Sequence, residues 1–112
     1  VLKAVIVAGS NGAGKTTFAR QMLPLLYPGV TFLNTDEIQV EDRAYARPEA
    51  AGREFLRRLE RMERGRASFA PETTLSGKLH ARRVVAWRGS GYRVDLHFLQ
   101  LPSADLAVRR VA

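Results

Sequence analysis

The stretch "LKAVIVAGSNGAGKTTFARQ", Leu2 to Gln21, decides the fold. Its first part carries five consecutive apolar residues, Ala4 to Ala8, rich in β-branched types. A continuous apolar run of that length reads as a strand buried on both faces, as in a parallel sheet. The run leads straight into "GSNGAGKT", which matches G-x-x-x-x-G-K-[ST] at Gly9, Gly14, Lys15 and Thr16. Gly9, Gly12 and Gly14 let the backbone curl until several N–H groups point at one place, where phosphate oxygens fit. A helix starting at "GKTTFAR" adds the positive end of its dipole. Strand, glycine bend and helix in this order form a phosphate loop. Its expected ligand set is Gly9, Ser10, Asn11, Gly12, Ala13, Gly14, Lys15, Thr16 and Thr17. Lys15 reaches the β- and γ-phosphates of ATP, and the Thr16 hydroxyl holds Mg²⁺.

Outward from the loop the chain alternates. The helix that opens at Lys15 carries Phe18, Met22 and Leu26 at one-face spacing, and Pro24 kinks or ends it. "YPG" is a turn, and "VTFLN" a short second strand with Asp36 just past its carboxyl end. Pro48 suits the first turn of a long helix in which Ala51, Phe55, Leu59 and Met62 keep helical spacing, with Gly65 as its stop. "ASFAPE" is a third strand. "SGKLHARRVVAWRGSG" is a helix with Ser76 as cap and Gly89 or Gly91 as terminator. "YRVDLHFLQL" is a fourth strand in which Val94, Leu96 and Phe98 alternate with Asp95 and His97. "PSADLAVRRVA" reads as the opening of a final helix. Alternating strands and helices demand an α/β fold: a mostly parallel sheet of about four strands, right-handed crossovers, and helices on both faces in three layers.

The totals set bounds. A chain of 112 residues is one domain, 1–112, with 46% hydrophobic and 26% charged residues. No apolar run approaches the roughly 20 residues of a membrane span, and no signal peptide is visible. With no cysteine there are no disulfides and no thiolate metal sites, which fits a cytoplasmic chain. The net charge of +7 permits a polyanionic partner, but the arginines are spread along the chain rather than massed in a tail. Solvated helix faces and a phosphate site account for them, and no membrane partner is expected. Nucleic acid is disfavoured, because aromatic and basic residues do not interleave in the single-strand-binding manner. His80 and His97 have no second ligand at metal spacing and read as structural. Trp87 reads as core.

Two acidic residues follow strands whose carboxyl ends share the loop's crevice: Asp36 after the second and Glu72 after the third. One can take the proton of an attacking hydroxyl. The other can orient Mg²⁺ through water or hold the acceptor. "LSGK", Leu75 to Lys78, has the look of the LSGG signature of transporter-type ATPases. The strand after it, however, ends in Pro102 and Ser103 with no acidic pair.

Taken together, "AGSNGAGKTTFAR", "FLNTDEI", "AAGREFLRRL", "SFAPETTLSGK" and "GYRVDLHFLQLPSADLAVRRVA" resemble the zeta toxin family, in one order through nearly the whole chain. The resemblance is closest to the short stand-alone members described as zeta toxin or UDP-N-acetylglucosamine kinase proteins. It implies a small phosphate-loop kinase fold, with the first strand between the third and fourth and the second at the edge. It also implies transfer of the ATP γ-phosphoryl group to a hydroxyl of a nucleotide sugar, UDP-N-acetylglucosamine. In toxin members a small antitoxin blocks the nucleotide site. By the same resemblance Asp36 is the catalytic base, Lys15 the loop lysine and Thr16 the metal-binding hydroxyl. Glu72 and Thr74 contact the sugar nucleotide, and Arg110 matches a catalytic arginine. Arg53 could touch substrate, although an exposed helical arginine fits as well. The family's arginine-bearing lid and fifth strand should follow "LPS", so the chain reads as C-terminally truncated, with the fourth strand an open edge. A non-catalytic or truncated ATP-binding module is the alternative reading, ahead of a nucleic-acid-directed protein or a transporter-type ATPase.

Overall fold

The computed structural model describes residues 1–10, 12–73 and 81–100, and 107–111 as backbone. Four strands run parallel in the order β2-β3-β1-β4: β1 Lys3–Gly9, β2 Thr31–Leu33, β3 Phe69–Thr73 and β4 Arg93–Gln100. A fifth, β5 Ala107–Val111, pairs antiparallel with β4 at the sheet edge. The helices are α1 Lys15–Gln21, α2 Leu23–Leu26, α3 Thr35–Glu41, α4 Pro48–Arg64 and α5 Ala81–Gly89, with a 3-10 turn at Arg43–Tyr45. No helix among the described residues is long and apolar enough to cross a membrane.

The expected strand order holds, and it dictates the layers. From β1 the chain moves outward past β3 to β2, and from β2 onward it moves back across the sheet. Right-handed crossovers then force α1 and α2 onto one face and α3, α4 and α5 onto the other. The core divides in that way. Ala4, Ile6 and Ala8 of β1 pack with Ile38, Ala51, Phe55, Leu59, Phe69 and Trp87. Val5 and Val7, on the opposite face, pack with Ala13, Phe18, Ala19, Leu23 and Tyr27. The helix spacing read for α4 is borne out, with Ala51, Phe55 and Leu59 buried and Met62 packed at the core margin. Trp87 is core as expected, its ring 5.1 Å from Phe69.

Several local expectations are corrected. The helix expected across the chain's last residues is, at Ala107–Val111, a strand whose hydrogen bonds cover the β4 edge that was expected to be open. Pairing with an eight-residue strand satisfies backbone groups that an exposed edge leaves to water, and it overrides the weak helical pattern. The sheet therefore has five strands, four of them parallel. The first helix breaks at Met22 and restarts as α2, because Pro24 has no N–H to continue the ladder. The break turns the apolar face onto Phe18, Ala19 and Leu23, and leaves Met22 and Leu26 each more than two-fifths exposed. Gly65 ends α4 at φ −77°, and the left-handed residue is Arg66 at φ 53°, whose guanidinium donates to the Ser90 carbonyl at 3.0 Å. Gly91, at φ 92°, terminates α5.

β4 inverts the simplest reading of its alternation. Asp95, His97 and Leu99 are the buried set, facing α1 and α2, while Val94, Leu96 and Phe98 are half-buried on the other face. Tyr27 explains the inversion. Its hydroxyl donates to Asp95 Oδ2 at 2.8 Å and lies 2.6 Å from His97 Nε2. Buried polar groups are tolerated where they find such partners.

Candidate functional site

β1 ends at Gly9, whose φ of 148° and neighbours both require glycine. A Cβ there would stand 2.6 Å from the Leu99 carbonyl oxygen of β4. Gly12 and Gly14 follow at φ 83° and 88°, and the Ala13 amide bonds the Ser10 carbonyl at 3.1 Å. The bend delivers the chain into α1 with Lys15 as its first residue. Lys15 is only 6% exposed, and its Nζ donates to the Gly9 carbonyl at 2.7 Å. Thr16 and Thr17 stand exposed beside it in the first turn, and Ser10 is exposed at the head of the bend.

Neighbouring strands β1 and β3 send their following helices, α1 and α5, to opposite faces of the sheet. That makes the carboxyl ends of β1 and β3 the switch point where open α/β sheets place their ligand crevice. Glu72 stands there, in register with Val7 of β1, its Oε1 3.9 Å from Lys15 Nζ. Burial pushes the Glu72 carboxyl above the ordinary carboxylate range. Lys15 pulls it down, and the negative charges of Asp36 and Glu37 raise it further. One lysine and an acidic cluster thus share the crevice.

Asp36 is exposed, in the first turn of α3, directly after the carboxyl end of β2. It is not the helix cap. Asn34 does that work, its Oδ1 accepting from the Glu37 amide at 3.1 Å. Asp36 is therefore not committed to capping, and it lies near enough to Glu72 for their charges to interact. Glu37 pairs with Arg20 of α1 at 2.9 Å and ties the start of α3 to the loop's helix.

The structure thus brings together Gly9, Gly12, Gly14, Lys15, Glu72 and Asp36 at one end of the sheet. Asn11 and Thr74 lie outside the described residues, as do "LSGK", the Ser76 cap and His80. Arg110 belongs to β5, opposite His97 in register. Arg53 is exposed and lines a shallow depression with Arg47 and Pro48 at the start of α4. Sequence reasoning missed two features. One is the Arg20–Glu37 tie, which no spacing rule joins across separate elements. The other is the Tyr27–Asp95–His97 cluster, signalled only by polar residues at every second position of an otherwise apolar strand.

Among the described residues no three His, Asp or Glu side chains gather as a metal cage. The donor set that the loop reading offers a metal is the Thr16 hydroxyl, exposed in the first turn of α1. That set fits Mg²⁺, which keeps several waters and binds through one or two protein groups together with substrate phosphates. No protein-family model, no curated protein and no solved structure matches this chain.

Proposed function

We propose that the chain is an ATP-dependent small-molecule kinase of the zeta toxin type. It passes the γ-phosphoryl group of ATP to a hydroxyl of a nucleotide sugar, with UDP-N-acetylglucosamine the acceptor that the resemblance implies. The observation that carries the proposal is the convergence at the carboxyl ends of the strands: a nearly sealed Lys15 under a glycine bend, Glu72 3.9 Å away, and a solvent-exposed Asp36 whose charge acts on Glu72.

In this reading the amides of the bend and Lys15 hold the phosphates. The Thr16 hydroxyl would hold Mg²⁺, which, when bound, neutralises charge on the β- and γ-phosphates. Asp36 takes the acceptor's hydroxyl proton as that oxygen attacks the γ-phosphorus. The bond to the β-phosphate oxygen breaks, and its electron pair leaves with ADP. Glu72 and Thr74 orient the acceptor, and the catalytic-arginine role that the resemblance implies for Arg110 belongs to the same reading. A cytoplasmic setting and an antitoxin partner belong to the same reading.

Asp36→Asn tests it. Acceptor-dependent ADP release should fall by on the order of a hundredfold or more, while ATP affinity stays within about twofold. Unchanged turnover would remove Asp36 from its role. A wild-type chain that binds ATP but releases no ADP with any hydroxyl acceptor would instead be a nucleotide-binding module.

A further inference from the structure

We propose that Glu72 is the resident counter-ion of Lys15, which an incoming polyphosphate must displace, so that this carboxylate limits how tightly the loop holds its nucleotide. The inference rests on the triphosphate reading of the loop. It concerns what the chain does to that binding before any transfer.

The geometry is that of a held cation. Lys15 has three donors and almost no access to water. One donor is taken by the Gly9 carbonyl at 2.7 Å. Glu72 sits at 3.9 Å, close enough for a strong attraction across a half-buried gap but longer than a hydrogen bond. Its place is fixed by the backbone, because β3 holds it in register with Val7 of β1. Among the described residues, the charges that act on Glu72 are Lys15 from α1 and Asp36 and Glu37 from α3. A polyphosphate that draws the ammonium to itself takes away the cation in this set. It then leaves Glu72 beside two carboxylates and the ligand's own negative charge.

Two consequences follow. Removing the Glu72 charge should tighten nucleotide binding, the opposite of what loss of an ordinary binding contact does. The advantage should also vanish in acid. Burial and the neighbouring carboxylates raise the Glu72 carboxyl. As the pH falls through that raised value, the wild-type side chain becomes neutral and equivalent to glutamine.

The experiment is calorimetric titration of the whole chain with magnesium-free ATP, acceptor omitted, comparing wild type with Glu72→Gln and Glu72→Asp. At about pH 8, E72Q should bind ATP on the order of fivefold more tightly, the worth of one incompletely buried ion pair. Glu72→Asp keeps the charge but withdraws it from Lys15 by one methylene, so it should fall between, and it serves if the glutamine variant does not fold. The ratio of wild-type to E72Q dissociation constants should approach one as the pH is lowered into the carboxylate range. Protonation of ATP cancels in that ratio. Equal or weaker binding by both variants, or a ratio indifferent to pH, would overturn this inference and leave the triphosphate reading standing. No ATP binding by any of the three proteins would overturn the reading itself, and this inference with it.

Discussion

Deleting one oxygen, in Tyr27→Phe, should destabilise the chain far more than its size suggests. Tyr27, Asp95 and His97 are 3%, 2% and 2% exposed, and the hydroxyl serves both of the other side chains, at 2.8 and 2.6 Å. Phenylalanine fills the same apolar space, so the loss falls on the hydroxyl's buried hydrogen bonds, among them those to the Asp95 carboxylate and to His97. Each such bond is worth about 1–2 kcal/mol, and water cannot readily replace the missing partner in so closed a site, giving about 2–4 kcal/mol in all. That is a large share of the roughly 5–15 kcal/mol that holds a domain of this size. It should lower the melting temperature by about 10–20 °C. Urea unfolding followed by circular dichroism measures the change, and an unaltered slope confirms that the midpoint shift reports stability. A double-mutant cycle with Asp95→Asn should show strong non-additivity, because both changes strike one network. A loss below about 0.5 kcal/mol, the range of ordinary surface substitutions, would refute the reasoning.

Two further predictions concern the loop and the α3–α4 clamp. Gly9→Ala should abolish ATP binding and lower the melting temperature, since its Cβ would meet the Leu99 carbonyl at 2.6 Å in a backbone conformation of φ 148°; an alanine variant that binds ATP normally would show that the bend does not need glycine there. Arg58 bonds Glu41 on α3 and Glu54 within α4, and those bonds hold both carboxyls below their ordinary range. Folded-state values below the unfolded ones mean that this contribution is complete above the unfolded carboxylate pKa and fades as the pH falls through the depressed values. Melts of wild type and Arg58→Met across that range should therefore converge in acid; a gap that stays constant with pH would place the role of Arg58 in packing alone.

Much of the fold was legible because its determinants are local. A doubly buried strand announces itself in Ala4–Ala8, and a glycine bend in Gly9–Gly14. α4 is long enough for its apolar spacing to outweigh its many charges. What could not be read is non-local. Whether Ala107–Val111 becomes strand depends on a free edge in β4, a fact about neighbours rather than about those five residues. The inward turn of Asp95 and His97 depends on Tyr27, which is 68 and 70 residues away. At the candidate site the loop and Asp36 could be named from position after strands. The pairing of Lys15 with Glu72 at 3.9 Å needed the parallel register of β1 and β3. Asn34 as the true cap of α3 was hidden by the more conspicuous acids beside it.

The aspartate and histidine turned inward on β4 also answer a problem of slippage. An apolar alternation tells a central strand which side to bury, yet it is indifferent to sliding by two residues, since the same side returns. The Tyr27 hydroxyl is not indifferent. A slide of two in one direction would bring Arg93 and Asp95 to it, and in the other His97 and Leu99. Either leaves a polar group sealed in oil or an apolar one where a bond is needed. A single phenol thus acts as a key with one fitting position, and it sets how far along its neighbour β4 comes to rest, and so where the Leu99 carbonyl lies against the first glycine of the bend.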